Sequence, residues 1–146
     1  MLARLCVSFT VGFWMLATTS RLDEEQQERA RLEGTWEIVK SGVAKKVVAH
    51  DFETRGKVTF QGSRMIITLG EQKLAESVYI LALKREPHGI YATPVDGPGK
   101  GLAWEGIYTL EGDTLTLLFS DPGKAAPKIW SKNNKKKAVV LKRAPL

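Results

Sequence analysis

Residues 32–39, LEGTWEIV, open the part of the chain that reads as folded, and they form a short strand-like run. Successive side chains of a strand point to opposite faces, so Trp36 and Ile38 share one face. Beyond Gly34 the helical period disappears, and short apolar runs alternate with turn residues. Such runs need a first strand to close against, and residues 32–39 are predicted to supply it.

Two hairpins give the clearest local signals. They join residues 57–60 to 64–69 and residues 102–110 to 114–119. Each is predicted to turn through three residues with a central glycine, Gly62 in the first and Gly112 in the second. In the second hairpin, Tyr108 and Leu110 alternate with polar residues and face the same side as Leu115.

Four further strands complete the pattern. They are expected at residues 74–83, 90–95, 128–130 and 138–143, with 132–137 forming a basic turn. A helix could compete over 74–83, although Val78, Tyr79 and Ile80 favour a strand. The run 46–50, within the segment 42–56, is expected as an edge strand or as a loop across a barrel mouth. About eight short antiparallel strands predict an all-β, up-and-down barrel over residues 34–143.

The first 20 residues have a different composition from the rest. Arg4 supplies one positive charge, residues 5–17 are uncharged and apolar, and small residues follow at 18–20. This is the layout of a secretory signal peptide, and the apolar run is shorter than the roughly 20 residues of a transmembrane helix. We expect residues 1–20 to be removed and the protein to be exported, periplasmic or extracellular, without stable membrane insertion. An uncleaved anchor is the alternative.

Residues 21–33 are densely charged and rich in good helix formers. Leu22, Ala30 and Leu32 are the apolar members of this stretch. A charged helical lead-in that leans one side on the barrel is therefore expected, with a disordered tether as the alternative.

The charge and cysteine content exclude several kinds of chemistry. Cys6 is the single cysteine and lies in the leader, so the mature chain offers no thiolate and no cysteine ligand for zinc. Removing Arg4 with the leader lowers the net charge from +6 to +5. Because an exported protein seldom meets nucleic acid, this charge is interpreted as serving solubility or attraction to an anionic surface.

No pattern of reactive residues predicts catalysis. His50, next to Asp51 and near Glu53, is interpreted as loop polarity, since alternating strand neighbours would diverge. His88 follows Pro87 in a predicted turn and is expected to be solvated.

The glycine-rich loop 96–101 lacks phosphate-loop spacing, and the lysine run 132–137 is interpreted as a solvated hairpin end. The carboxylate pairs Glu105 with Asp113 and Asp51 with Glu53 have no fixed separation. We expect no enzyme, and no catalytic, metal or cofactor-binding residues.

Four pieces of sequence together resemble a known family. They are Leu32-x-Gly34-x-Trp36, the run VTFQG at 58–62, the run GIYTLEGDTL at 106–115, and VLKR at 140–143. Their order and spacing, over residues 30–143, resemble small lipocalin-like (calycin) domains of unknown function that are abundant in planctomycete bacteria and often exported. The resemblance implies an antiparallel barrel with no assigned activity. It also implies a barrel-closing pair, in which Arg143 on the last strand packs against Trp36 on the first. Residues 42–55 depart from the pattern, which leaves open whether one barrel end is open or covered.

The aromatic residues decide between two functional hypotheses. Besides Trp36, the candidates for lining an interior cavity are Phe60, Tyr79, Tyr91, Trp104, Tyr108, Phe119 and Trp130. An eight-stranded barrel is wide enough for packed side chains or for one small ligand, and a filled interior is the first expectation. It predicts an exported non-enzymatic module, structural or mediating contacts with another exported protein. The alternative is a carrier of a small apolar ligand inside the barrel.

Overall fold

The computed structural model describes residues 19–42 and 46–145, and one sheet forms the main part of the fold. Eight strands form a closed antiparallel barrel in chain order, in which the last strand pairs with the first. The strands are β1 (Gly34–Lys40), β2 (Gly56–Gln61), β3 (Arg64–Leu69), β4 (Gln72–Ala82), β5 (His88–Pro94), β6 (Trp104–Glu111), β7 (Thr114–Phe119) and β8 (Val139–Arg143). The predicted all-β up-and-down barrel is confirmed.

Both predicted hairpins are present in this barrel. β2 pairs with β3 from Gly56 opposite Leu69 to Gln61 opposite Arg64, and β6 pairs with β7 through Glu111 opposite Thr114. Each connection is therefore two residues rather than three. Gly62 and Gly112 carry φ values of +59° and +57°, a conformation that glycine adopts without steric cost. The run expected over 74–83 is strand rather than helix through Ala82, as its β-branched residues predict.

Three helices accompany the barrel: α1 (Thr19–Leu32), α2 (Lys46–Arg55) and α3 (Lys132–Lys137). α1 agrees with the expected helical lead-in. Among the described residues, no helix is long and apolar enough to cross a membrane. The leader predicted at residues 1–20 lies almost wholly outside the described residues, and its cleavage stays a prediction.

Two predictions about the connections are wrong. Residues 46–50 are helical, because α2 continues to Arg55 and places Phe52 against the barrel interior, whereas the adjacent valines suggested a strand. Residues 128–130 form a bend instead of a strand, and the basic turn 132–137 is the helix α3. A capping box starts this helix: Ser131 accepts from the backbone N–H of Asn134, whose side chain accepts from the Ser131 N–H.

The two ends of the barrel can be assigned from the direction of β1. This strand begins just after α1 and ends shortly before α2, so α1 and α2 mark opposite ends. Interior side chains from all eight strands form one core cluster. At the α1 end its members are mainly aromatic, and near α2 they are aliphatic, small or phenylalanine.

Candidate functional site

The first and last strands meet at the α1 end through an arginine and a tryptophan. The guanidinium carbon of Arg143 lies 4.3 Å from the ring centroid of Trp36, whose side chain is fully buried. The indole N–H donates to the Leu32 carbonyl at 2.8 Å, and Nη1 of Arg143 donates to the Glu33 carbonyl at 2.9 Å. Because Trp36 and Arg143 are also cross-strand partners, this contact fastens β1, β8 and the end of α1 together.

A buried carboxylate holds α1 on the barrel. Glu28 is 7% exposed and accepts a hydrogen bond from the Tyr108 hydroxyl at 2.9 Å and another from Nη1 of Arg31 at 2.8 Å. Burial of the phenol, and then the neighbouring negative charge of Glu28, raise the pKa of Tyr108 well above its usual range. The phenol therefore stays protonated and donates to Glu28 at any ordinary pH.

His88 belongs to the same cluster, which corrects the prediction that it is solvated. Its Nδ1 lies 3.8 Å from Glu28, its Nε2 lies 3.0 Å from Glu86, and its ring contacts Tyr108 at 5.7 Å between centroids. A turn position next to proline suggested exposure. The imidazole is instead partly buried because β5 begins at His88 and turns this side chain toward the interior end that α1 covers.

Tyr79 and Phe60 fill the space above this cluster. Their rings meet edge to face with centroids 5.3 Å apart, and the guanidinium carbon of Arg29 lies 4.8 Å from the Tyr79 centroid. Burial raises the pKa of Tyr79 as well. Three of the predicted cavity-lining residues, Phe60, Tyr79 and Tyr108, therefore pack together at the α1 end, where Tyr108 also borders a small cleft of about 130 Å³ beside Glu28 and His88.

The α2 end is hollow and contains two adjacent spaces. The loop chamber, about 340 Å³, is lined by Leu74, Ala75, Ser77, Pro94, Trp104 and the loop 96–98. The α2 chamber, about 190 Å³, is lined by Ile38, Phe52, Val58, Leu117 and Val139. Met65, Ile67 and Phe119 form a wall common to both. Apart from Ser41, Ser77 and the mouth residue Asp96, the lining side chains are aliphatic or aromatic.

The hollow end follows from small residues on β4 and β5. Ala75 pairs with Ile67, and Ser77 pairs with Met65 on one side and with Pro94 on the other. Ala75 and Ser77 face the barrel interior, on the same face of β4 as Tyr79. Tyr79 lies two residues further along the strand than Ser77 and therefore nearer to α1. The sequence signal, alanine and serine inside otherwise bulky strands, was present in the run 74–83.

One polar side chain lines the inner part of the loop chamber. This is Ser77, which is 6% exposed. At the mouth, the Asp96 carboxylate lies 3.7 Å from the ammonium of Lys73, which also contacts Glu76 at 3.1 Å on the outer face of β4. The mouth therefore has one carboxylate with an ammonium beside it.

The other predicted lining residues divide between the two faces of the barrel. Trp104 and Phe119 do line the loop chamber. Tyr91 does not, because it pairs with the outward-facing Ile80, and it contacts Arg85. Trp130 also lies outside, where its indole N–H donates to the Thr109 hydroxyl at 2.9 Å. The alternation of side chains along β5 would have been enough to place Tyr91 on the outer face. The position of Trp130 could not be found in this way, because residues 128–130 were predicted to form a strand and are part of a connection.

No metal site is formed within residues 19–42 and 46–145: no group of three or more His, Cys, Asp or Glu side chains could hold an ion there. His50 and Asp51 lie on α2 and not on a strand. Comparison of the chain with protein-family models, curated proteins and solved structures finds no match. The resemblance to small lipocalin-like domains therefore stays a prediction.

Proposed function

We propose that this protein binds a small apolar molecule inside the α2 end of its barrel. The observation that carries the proposal is the contrast within one interior, where aromatic side chains fill the α1 end and two apolar chambers occupy the other. A completely filled interior, which would favour a purely structural module, is found at the α1 end alone. The carrier, which the sequence ranked second, therefore becomes the better hypothesis.

The volumes limit the size of the ligand. Known small-molecule sites range from about 300 to 1,000 Å³, and the loop chamber of about 340 Å³ lies near the lower limit. The wall between the chambers includes Met65, an unbranched side chain that adapts readily to its neighbours. A single aliphatic chain or one small ring system fits the loop chamber, and a shift of Met65 would admit a longer tail into the α2 chamber.

The polar groups of the loop chamber indicate what kind of polar group the ligand should carry. Ser77 lines the loop chamber and its hydroxyl can both donate and accept, so a ligand hydroxyl or carbonyl that reaches it can form a hydrogen bond there. The carboxylate that lines the mouth is Asp96, and a ligand carboxylate there would lie close to a charge of the same sign. We therefore expect a neutral or cationic polar group to be preferred over a carboxylate.

Intrinsic fluorescence can test this proposal directly. Trp104 lines the loop chamber, so titration with decanol, decylamine, decanoate and decane should change tryptophan emission in a saturable way. Decanol and decylamine should bind more tightly than decanoate. Ala75→Phe, which fills the chamber, should abolish binding. Val78→Phe, on the opposite face of the same strand, is the matched control and should bind as the natural chain does.

Two outcomes would contradict the proposal. One is a lack of saturable binding to all four probes. The other is undiminished binding by a folded Ala75→Phe variant, which would place the ligand elsewhere. Far-ultraviolet circular dichroism of both variants checks that their barrels are intact.

The cellular location belongs to the same proposal. The layout of residues 1–20 supports export, and an exported carrier could exchange its ligand with a partner outside the cytoplasm. N-terminal sequencing of the protein purified from its natural source tests the location. A mature chain beginning near residue 20 supports export, and one that begins at Met1 contradicts leader removal.

A further inference from the structure

The positive charge of the chain is concentrated in its last segment. Residues 120–146 contain seven lysines and one arginine against a single acid, Asp121, whereas the net charge of the whole chain is +6. The rest of the chain is therefore close to neutral. Among the described residues, Lys124 is the one lysine between 120 and 137 with a carboxylate within 4.0 Å. The remaining lysines of this stretch are free of salt bridges to described carboxylates.

This segment runs across the outer face of the barrel before it enters β8. The backbone N–H of Ala126 donates to the Glu105 carboxylate at 3.2 Å, and Trp130 donates to Thr109. Ile107, which points outward between the interior residues Gly106 and Tyr108, is 1% exposed. The connection 120–138 is therefore docked on β6 and β7 and does not hang free in solvent.

A groove of about 410 Å³ lies between this connection and the strands. Trp130 and Lys135 line one wall of the groove, and Thr109, Thr114, Thr116 and Lys40 line the other; this is the connection groove. Thr109 and Thr116 are direct cross-strand partners, as are Glu111 and Thr114. Such partners lie about 5 Å apart, so the groove presents a closely spaced row of hydroxyl and carboxylate oxygens.

The lysines of the connection groove keep donors for a ligand. Nζ of Lys40 donates to the backbone carbonyl of Lys135 at 3.4 Å, and both residues line the groove. An ammonium has three donors, so that contact leaves two on Lys40, and none of the three on Lys135 has a carboxylate partner among the described residues. Anionic groups in the groove would meet both charges.

We propose that the connection groove binds a segment of an acidic polysaccharide, one that carries carboxylate or sulfate groups on its sugars. Lysines supply the attraction for the anionic groups, threonine hydroxyls and Glu111 match sugar hydroxyls, and Trp130 offers an apolar wall to a sugar ring. Nucleic acid fits less well, since binding of bases depends on aromatic platforms that stack on successive bases, and this groove has one indole. An anionic membrane also fits less well, since Ile129 is the one large apolar side chain of the connection exposed for insertion. This site lies outside the barrel wall and does not depend on the interior ligand.

Binding measurements with five probes test the proposal. Polygalacturonate and dextran sulfate should bind the full chain, whereas neutral dextran, a mixed-sequence single-stranded oligonucleotide and phosphatidylglycerol vesicles should bind more weakly or not at all. Replacing both Thr114 and Thr116 by valine keeps their shape and removes the hydroxyls, and should weaken polygalacturonate binding about fivefold or more. Lys135→Gln should weaken binding and make it less dependent on salt. Lys57→Gln, an exposed position on β2, is the control and should leave binding unchanged.

The same measurements can overturn the proposal. Equal affinity for the oligonucleotide or the vesicles, with no effect of the threonine changes, would mean that the lysines form a general anionic contact and that the groove is not used. Failure of both acidic polysaccharides to bind would reject the site. Circular dichroism of each variant separates these results from a loss of fold.

Discussion

The two ends of this barrel have the same strands but opposite interiors. At the α1 end, Trp36, Tyr79 and Tyr108 fill the space and a buried carboxylate fastens the helix. At the α2 end, alanine and serine take the corresponding interior places, and two chambers remain. The contrast teaches that one half of the interior is closed by packed side chains, whereas the other half leaves space between its side chains.

The energetics support this division. An enclosed cavity costs about 24 cal/mol for each Å³ of space, because the side chains around it lose contacts. The chambers at the α2 end are half open, which reduces that cost, but they contribute little packing energy of their own. The stability of the barrel should therefore reside mostly at the α1 end, and the following predictions test that difference.

The largest expected effect is the loss of the tryptophan that fills the α1 end. Trp36→Ala should lower the free energy of unfolding by about 3–5 kcal/mol, since a fully buried indole is removed. Trp104→Ala is the matched change at the hollow end and should cost clearly less, because this side chain already borders a cavity. Urea denaturation of both variants measures the difference. Equal losses would mean that the two ends are packed alike.

A second effect at the α1 end depends on pH. The pKa of Tyr108 is higher in the folded state than in an unfolded chain, so this group stabilises the fold below about pH 10 and loses that contribution as pH rises further. The loss should reach at most about 1.4 kcal/mol for each pH unit. Tyr108→Phe should therefore show a shallower fall in stability above pH 10 than the natural chain. Parallel curves in urea denaturation at several alkaline pH values would contradict burial of this phenol.

The carboxylate that holds α1 gives a related prediction at neutral pH. Glu28→Ala leaves the Tyr108 hydroxyl without its acceptor and should cost about 1–3 kcal/mol. Glu28→Gln keeps an acceptor of the same shape and should cost less, and Glu24→Ala, an exposed change on the same helix, should be nearly neutral. Thermal unfolding ranks the three. A Gln variant as unstable as the Ala variant would show that charge, and not the hydrogen bond, holds the helix.

Much of this architecture could be predicted from the sequence because its signals are local. The hairpins at Gly62 and Gly112 follow from turn residues between alternating strands, and the run 74–83 follows from its β-branched residues. The proximity of Trp36 and Arg143 was implied by the resemblance to lipocalin-like domains, not by any pattern within the strands. In this barrel, strands that follow each other in sequence are also neighbours in space. The alternation of apolar side chains and the turn residues between strands are therefore enough to predict the strand order.

The site could be predicted only in part because it depends on contacts between distant residues. His88 was expected in solvent, since a sequence does not show that Glu28, sixty positions earlier, comes within 3.8 Å of its ring. Trp130 was placed inside because residues 128–130 resemble a strand, whereas docking of the connection on β6 carries it outside. The hollow end forms because several small side chains face the same part of the interior. Which residues do so depends on the pairing of the strands in the closed barrel, and that pairing places Ala75 and Ser77 in one chamber.

The contact between the first and last strands should have a smaller effect than the changes above. Arg143→Ala should cost about 1–2 kcal/mol, through loss of the cation–π contact and of the hydrogen bond to the Glu33 carbonyl. The loss should shrink when Trp36 is already replaced by leucine, as a double-mutant cycle would measure. Lys142→Ala, an exposed change on the same strand, serves as the control. Strictly additive losses would mean that the guanidinium and the indole do not interact.

The smallest expected effect has the opposite sign and concerns the hollow end. Ala75→Leu adds apolar atoms to the loop chamber and should raise stability by about 0.5–1 kcal/mol, because the new side chain fills space that exists already. Gly106→Ala is the contrasting enlargement within the barrel: its new Cβ would lie 2.6 Å from the Leu118 carbonyl oxygen, so it should destabilise. Thermal unfolding of the two variants, with ligand titration of the first, completes the comparison. If Ala75→Leu is stabilising and also weakens decanol binding, the chamber that lacks packing is the chamber that binds, whereas destabilisation by Ala75→Leu would show that the loop chamber has no room for the added atoms.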